Sequence, residues 1–350
     1  MGKHLKEFQT FEEYDNFMKS EKYLYPNVSY IINDDILMYD DYQNRGDIIK
    51  NYLRFTSLKD STISLTNNGY NTPNVEYSFD GINNWTTWDY SEINLPSGTT
   101  VYMRGNNPNG FSSSSSKYST FNMTGKIESH GNIMSLLYDD DFEDKLSIPS
   151  SNCYYRMFYA CTSLTTAPEL PATTLTDYCY YGMFTNCISL TTASELPATT
   201  LANSCYSYMF YGCTSLTTAP SILPTIALSE YCYYYMFYGC SSLTTAPELP
   251  STRLKKFCYY GMFIDCISLT TAPELPATTL DSYCYSCMFS GCTSLNNITM
   301  LATNVNVAGC LLDWVNGVAT TGTFTKSSSM TSLLNGNSGI PEGWEIINYG

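Results

Sequence analysis

A chain of 350 residues, 43% of them apolar, carries enough side-chain volume for a large core and for more than one domain. Only 14% of the residues are charged, yet the balance is −15, which excludes a phosphate-gripping surface for nucleic acid. Residues 1–14 lack the apolar stretch of a secretory leader and no run nears the roughly 18 apolar residues of a membrane span, so neither a cleaved signal nor membrane insertion is expected.

Residues 1–49 read as a small docking unit. Thr10 followed by Glu13 is a capping pair, and Phe11, Tyr14, Phe17 and Met18 share one helical face, which predicts a helix over 11–20. After Pro26, strand formers over 28–32 and 36–39 flank Asn33, Asp34 and Asp35, the pattern of a hairpin. So small a unit needs a neighbour or a partner to pack on.

Residues 50–126 predict a small all-β, immunoglobulin-like sandwich with strands over 53–57, 62–65, 75–79, 85–89, 99–104 and 118–123. The serines at 112–116 read as a low-complexity loop. Ser78-Phe79-Asp80-Gly81 ahead of Trp85 is similar to the Asp-box hairpin of sialidase-like folds, with its glycine one place early, and is read as a structural turn.

Residues 127–300 contain one unit repeated six times. Its first cysteines are Cys153, Cys179, Cys205, Cys232, Cys258 and Cys284; each is followed eight residues later by Cys161, Cys187, Cys213, Cys240, Cys266 and Cys292. The step is 26 residues, lengthened to 27 once by an insertion near Ile222. Such a period predicts a stacked solenoid of six coils. Ile133, Met134, Leu136 and Leu137 are expected to cover its first coil. The acidic run 139–144 lacks the spacing and glycine of a calcium loop and reads as solvated. In each coil a short extended segment opens at a leucine (Leu164, Leu190, Leu216, Leu243, Leu269, Leu295), and in the first five it stops at Leu-Pro, because proline cannot donate to a ladder. Residues 301–350 form a C-terminal cap. Cys310 falls one step after Cys284, Trp314 stands where Met288 did, and Trp314 and Trp344 are the expected lids. Stacked equivalents lie about 4.8 Å apart, whereas a disulfide needs Cβ atoms at about 3.5–4.5 Å, so the cysteines are expected to be free core thiols.

Met-Phe-Tyr-Gly-Cys-Thr-Ser-Leu-Thr-Thr-Ala-Pro at 209–220 resembles the BspA-type leucine-rich-repeat family. The resemblance implies an α+β, mostly β chain built on a leucine-rich-repeat solenoid. It also implies a cell-surface or secreted role in binding host matrix proteins or other cells. Similar chains occur among proteins of phages of gut bacteria, and Tyr25-Pro26-Asn27-Val28-Ser29-Tyr30 with Asn33-Asp34-Asp35 resembles N-terminal modules of phage structural proteins.

Catalytic constellations are not found. His4 and His130 sit in no motif, and Cys284-Tyr285-Ser286-Cys287 is a CxxC without a histidine, so no metal, cofactor or enzymatic activity is expected. A carbohydrate-active enzyme using Asp80 or Glu92 is the catalytic alternative. Binding then falls to Tyr155, Tyr181, Tyr208, Tyr234 and Tyr260 with Thr166, Thr192, Thr218, Thr245 and Thr271, expected to form one neutral hydrogen-bonding face for a host cell-surface glycan or protein. The expected setting is a phage virion surface, with residues 1–49 docked on other virion proteins and release by lysis in place of a leader. The alternative is a bacterial cell-surface adhesin.

Overall fold

The structure is a computed structural model that describes residues 4–8, 28–32, 35–37, 50–224, 227–330 and 333–350. The chain divides into two compact units, Met1–Lys50 and Asn51–Gly350. In the first, β1 (His4–Phe8) runs parallel to β2 (Val28–Ile32), which pairs antiparallel with β3 (Asp35–Leu37). The helix expected over 11–20 lies outside the described residues.

The second unit opens with two packed sheets. One holds β10 (Ser112–Ser114), β11 (Lys117–Met123), β5 (Ser61–Asn68) and β8 (Ile93–Leu95) in that order. The other runs β13 (Leu164–Thr166), β12 (Ile127–His130), β4 (Leu53–Ser57), β9 (Thr100–Gly105), β6 (Val75–Ser78) and β7 (Thr86–Thr87). Every second residue of β4 and β9 is buried, as period-two strands require, and Phe55 meets Phe121 across the sheets at 5.2 Å. Two expectations are corrected here. The serine run is an edge strand: Ser112 Oγ donates to Ser114 O at 3.1 Å and a register shift accommodates the pairing. The strand expected over 85–89 shrinks to two residues because both indoles tie to local carbonyls, Trp85 to Ile82 at 3.2 Å and Trp88 to Ser91 at 2.8 Å.

Each sheet continues into one side of the solenoid. β12 pairs antiparallel with β4 on one edge and parallel with β13, the first coil's strand, on the other. In the other layer, Phe111 N–H and Phe121 N–H donate to Cys153 O and Met157 O at 2.7 and 2.8 Å.

The cysteine-to-cysteine segments are neither helix nor strand. They are chains of four-residue turns with a left-handed residue at every fourth place: Tyr178, Gly182 and Asn186 in one coil, Tyr231, Tyr235 and Gly239 in another. Backbone accounting explains the shape. Alternate N–H groups close a turn on the carbonyl three residues back, as Met183 does to Tyr180, while those between reach the next coil, as Tyr180 does to Cys205. Five such donors leave each of the six coils, at Tyr178, Tyr180, Gly182, Phe184 and Asn186 in the second.

Inside, the coils stack in rows. Tyr154, Tyr180, Tyr206, Tyr233, Tyr259 and Tyr285 form a buried ladder with ring centroids 5.6–6.0 Å apart and planes within 14°. A second row runs Phe121, Phe158, Phe184, Phe210, Phe237, Phe263 and Phe289 at 5.2–5.7 Å. The second cysteine of each coil does more than fill space. Cys161, Cys187, Cys213, Cys240, Cys266 and Cys292 donate S–H to Phe121, Phe158, Phe184, Phe210, Phe237 and Phe263 carbonyls at 2.9–3.1 Å.

All fourteen cysteines are free, thirteen of them buried, and burial pushes the thiols up, Cys205, Cys258 and Cys292 to about 12. Thiol titration of the native protein is expected to register the half-exposed Cys287 alone, with the other thirteen reacting only in denaturant. Loss of the fast phase in Cys287→Ser checks the assignment; rapid reaction of several native thiols would contradict the packing.

The ends are closed differently. Ile133, Met134, Leu136 and Leu137 are fully buried over the first coil, the last two in the short α1 (Ser135–Tyr138). At the other end β14 (Asn297–Met300), β15 (Thr323–Ser327) and β16 (Glu345–Tyr349) form a parallel sheet. Trp314 is fully buried against Phe289 and Phe324, with its Nε1–H on Gly339 O at 2.8 Å; Trp344 Nε1–H donates to Ala319 O at 2.7 Å.

In the acidic run Asp141, Glu143 and Asp144 are exposed, as a solvated loop requires, while Asp139 and Asp140 join a charge cluster. Arg104, its guanidinium 4.2 Å above the Trp85 ring, pairs with Glu76, Asp139 and Asp140 at 2.9, 3.0 and 2.9 Å, and Tyr52 Oη–H donates to Asp140. Asp139 itself holds φ at 52°. Its carboxyl lies above the usual carboxylate range because burial outweighs the pull of Arg104.

Candidate functional site

The turn segments place side chains by offset from the first cysteine. The residue at +1 is the buried tyrosine; the one at +2 reaches the outer surface of the turns. Tyr155, Tyr181, Tyr234 and Tyr260 hold the +2 place. In the third coil Ser207 stands there and is buried, donating to Tyr231 O at 2.6 Å, and Tyr208, one residue later, swings into the row. The five rings touch in sequence: Tyr155–Tyr181 at 5.0 Å, Tyr181–Tyr208 at 5.2 Å, Tyr208–Tyr234 at 5.5 Å and Tyr234–Tyr260 at 5.0 Å. Tyr118 of β11 extends the row at 5.6 Å from Tyr155. Tyr155 differs from the surface contact expected of it. It is only 5% exposed, between Tyr118 and the Arg156 guanidinium, and supports the end of the row.

Sequence reasoning missed part of this surface. Tyr178, Tyr231, Phe257 and Tyr283 occupy the place just before the first cysteine, and Tyr235 shares the place at +3 with Tyr208, the one of the six already expected in the row. All six are left-handed, with φ of 53–58°, where Gly182, Gly261 and Gly309 stand in other coils. A bulky side chain there costs about 1–2 kcal/mol of backbone strain. Phe257 bridges Tyr231 and Tyr283 at 4.7 and 4.9 Å, and Tyr211–Tyr238 stack at 4.5 Å beside them. The signal in the sequence was faint: glycine holds these places at Gly182, Gly261 and Gly309, but Asn152, Arg156, Ser204 and Cys287 hold them elsewhere.

Burial among neighbouring rings pushes the Tyr181, Tyr234 and Tyr235 hydroxyls up to about 12, so the row is neutral and donates hydrogen bonds at any physiological pH. Tyr155 and Tyr181 lie within 9° of parallel and Tyr234 and Tyr260 within 17°. Neighbours therefore cover ring faces in these pairs, leaving rims and hydroxyls for a partner.

The threonines belong to the other layer, which corrects the expectation of one shared face. Thr166, Thr192 and Thr218 bridge in parallel on the side continuing from β12, and Thr271 bridges to Asn297, while Thr245 makes no bridge. Thr166 Oγ1 donates to Ser129 O at 3.1 Å; Thr192, Thr218, Thr245 and Thr271 are exposed. Between the two rows lies the Met, Phe and Cys core.

Asp80 closes its own loop. It accepts from Ser78 Oγ at 2.7 Å, Ile82 N at 2.9 Å and Asn84 Nδ2 at 2.6 Å, and these bonds, the Ile82 amide first, hold its carboxyl far below the usual range. No described group of three or more His, Cys, Asp or Glu side chains is placed to hold a metal. No described helix is long and apolar enough to cross a membrane.

The BspA type leucine rich repeat region matches in 6 copies, over residues 144–270 and 221–310. No curated protein and no solved structure matches the chain.

Proposed function

We propose, from the BspA-type leucine-rich repeats matched over residues 144–310, that this chain is a non-catalytic surface-binding protein of the adhesin kind whose contact surface is the aromatic row on its turns. One observation carries the reading. Six bulky aromatics are held at left-handed positions where glycine would relieve strain, and they cluster on one surface, Tyr178 exposed and the other five half-buried. Tyrosine rims and hydroxyls give large contact area at low entropy cost, the chemistry of protein recognition. The nearly parallel pairs Tyr155–Tyr181 and Tyr234–Tyr260, whose ring faces cover one another, favour a protein over a sugar stacked flat, so the proposed partner is a host-surface protein, with glycans second.

Binding of folded protein to arrays of host-surface proteins and glycans tests this. Tyr234→Ala is expected to weaken binding about thirtyfold, the ~2 kcal/mol of a hot spot. Tyr235→Gly should also weaken it while leaving stability within about 1 kcal/mol, since relieved strain offsets lost ring contacts. No binding by folded protein on any array overturns the reading. Display on a phage virion, with residues 1–49 on other virion proteins, belongs to the same proposal. Mass spectrometry of purified particles tests it: recovery of residues 1–49 supports it, and absence from particles moves display to a bacterial surface.

A further inference from the structure

The rule by which one coil grips the next holds six times and then stops part-way. In the seventh rung the equivalent donors are Gly309, Leu311, Asp313, Val315 and Gly317. Asp313 N–H is taken by Ser338 Oγ at 2.9 Å and Val315 N–H by Asn337 O at 3.1 Å. Gly317 N–H, Gly309 N–H and Leu311 N–H meet no acceptor among the described residues, and Gly309 and Leu311 line one open pocket. Beside them opens a cavity of about 600 Å³ lined by Val305, Val307, Leu311, Leu312, Leu333 and Leu334 among others. Leu334 is 81% exposed and Leu312 46%, large values for leucine.

We propose that this open rung is a docking site for an aliphatic peptide segment of a partner, which adds to the stack as a further coil would. The interface it continues is the one already built between the coils. Each earlier coil presents to its predecessor carbonyls at alternate residues, as Cys310 and Ala308 do to Tyr285 and Tyr283. The occupant therefore supplies two carbonyls at alternate residues to Gly309 and Leu311 and an apolar side chain to the cavity. Main-chain bonds give affinity and the pocket selects the side chain, as when a strand is added to a sheet edge. A second copy joined rung to rung is excluded on polarity. A symmetric contact of this kind is isologous and sets N–H donors against N–H donors. The site lies at the end of the stack, where Gly309 borders Tyr283, the last ring of the aromatic surface, and Leu312 and Leu334 belong to the pocket alone.

The test uses the full chain and an end-blocked synthetic peptide copying residues 304–314 with Cys310 as serine, a segment that already serves as an added coil, with a scrambled peptide as control. Amide hydrogen exchange is expected to show Gly309 and Leu311 unprotected in the free protein and slowed at least tenfold by the peptide alone. Leu334→Asp and Leu312→Asp, both at exposed positions, should weaken peptide binding at least tenfold while leaving thermal unfolding unchanged. Protection of both amides in the free protein overturns the proposal, since the chain then covers its own rung. Equal binding of the scrambled peptide, or no binding by the folded protein, overturns it as well.

Discussion

Phe237→Ala is expected to lower the unfolding free energy by about 3–5 kcal/mol. The ring is fully buried between Phe210 and Phe263, at 5.5 and 5.7 Å, and the Phe237 carbonyl receives both Cys240 N–H and Cys266 Sγ–H. The resulting void cannot close, because hydrogen bonds on both sides fix the separation of the coils. Arrays of this kind are held by nearest-neighbour contacts, so the damage should be local first. Denaturant titration gives the magnitude, and amide exchange should show residues 231–266 opening well before β4 and β9. A loss below about 1 kcal/mol would mean that the ladder is not the backbone of stability.

Arg104→Ala is the second large effect, about 2–3 kcal/mol at neutral pH. Breaking a buried pair costs about 3–5 kcal/mol, and the figure is reduced because the arginine is 17% exposed and its three carboxylates 30–51%. Without the guanidinium, Glu76, Asp139 and Asp140 face one another with the Trp85 ring uncovered. The pH dependence has a definite sign. The folded-state pKa of Asp139 is already raised by burial, and losing Arg104 removes an influence that lowers it. A carboxyl raised in the folded state contributes stability below its unfolded pKa of about 4 and loses it as pH rises through the folded value. The deficit of the variant should therefore shrink between pH 7 and pH 4. Urea midpoints at both pH values check this, and a deficit that grows on acidification would be incompatible with the cluster.

The repeats were legible because stacking imposes identity: a side chain at one offset must pack on its own copy, so Leu, Met, Phe and Cys recur and announce the rung. The capping role of Trp314 followed from the same register. What repetition could not reveal was the backbone of the turns. Left-handed places show in sequence only as glycine, and Tyr178, Tyr235 and Phe257 mask them. For the same reason Tyr178, Tyr231, Tyr235, Phe257 and Tyr283 were not read as part of the surface. Tyr208 was named although it stands one residue past the place of its four partners, and the ring contacts explain why it replaces Ser207 in the row. In the β sheets, Ile93–Leu95 is too short to display a period, and nothing local in Asp139 and Asp140 marks a distant arginine as their partner.

The one-way hydrogen bonding between the turn segments has an electrical consequence. Every inter-coil N–H of the turn stack points toward the C-terminal end and every accepting carbonyl toward the N-terminal end, in coil after coil. Aligned peptide dipoles add, as they do along a helix. The turn stack is thus an oriented dipole running along the array. Its negative pole is buried against β10 and β11, where Phe111 and Phe121 amides neutralise it, and its positive pole emerges at Gly309 and Leu311.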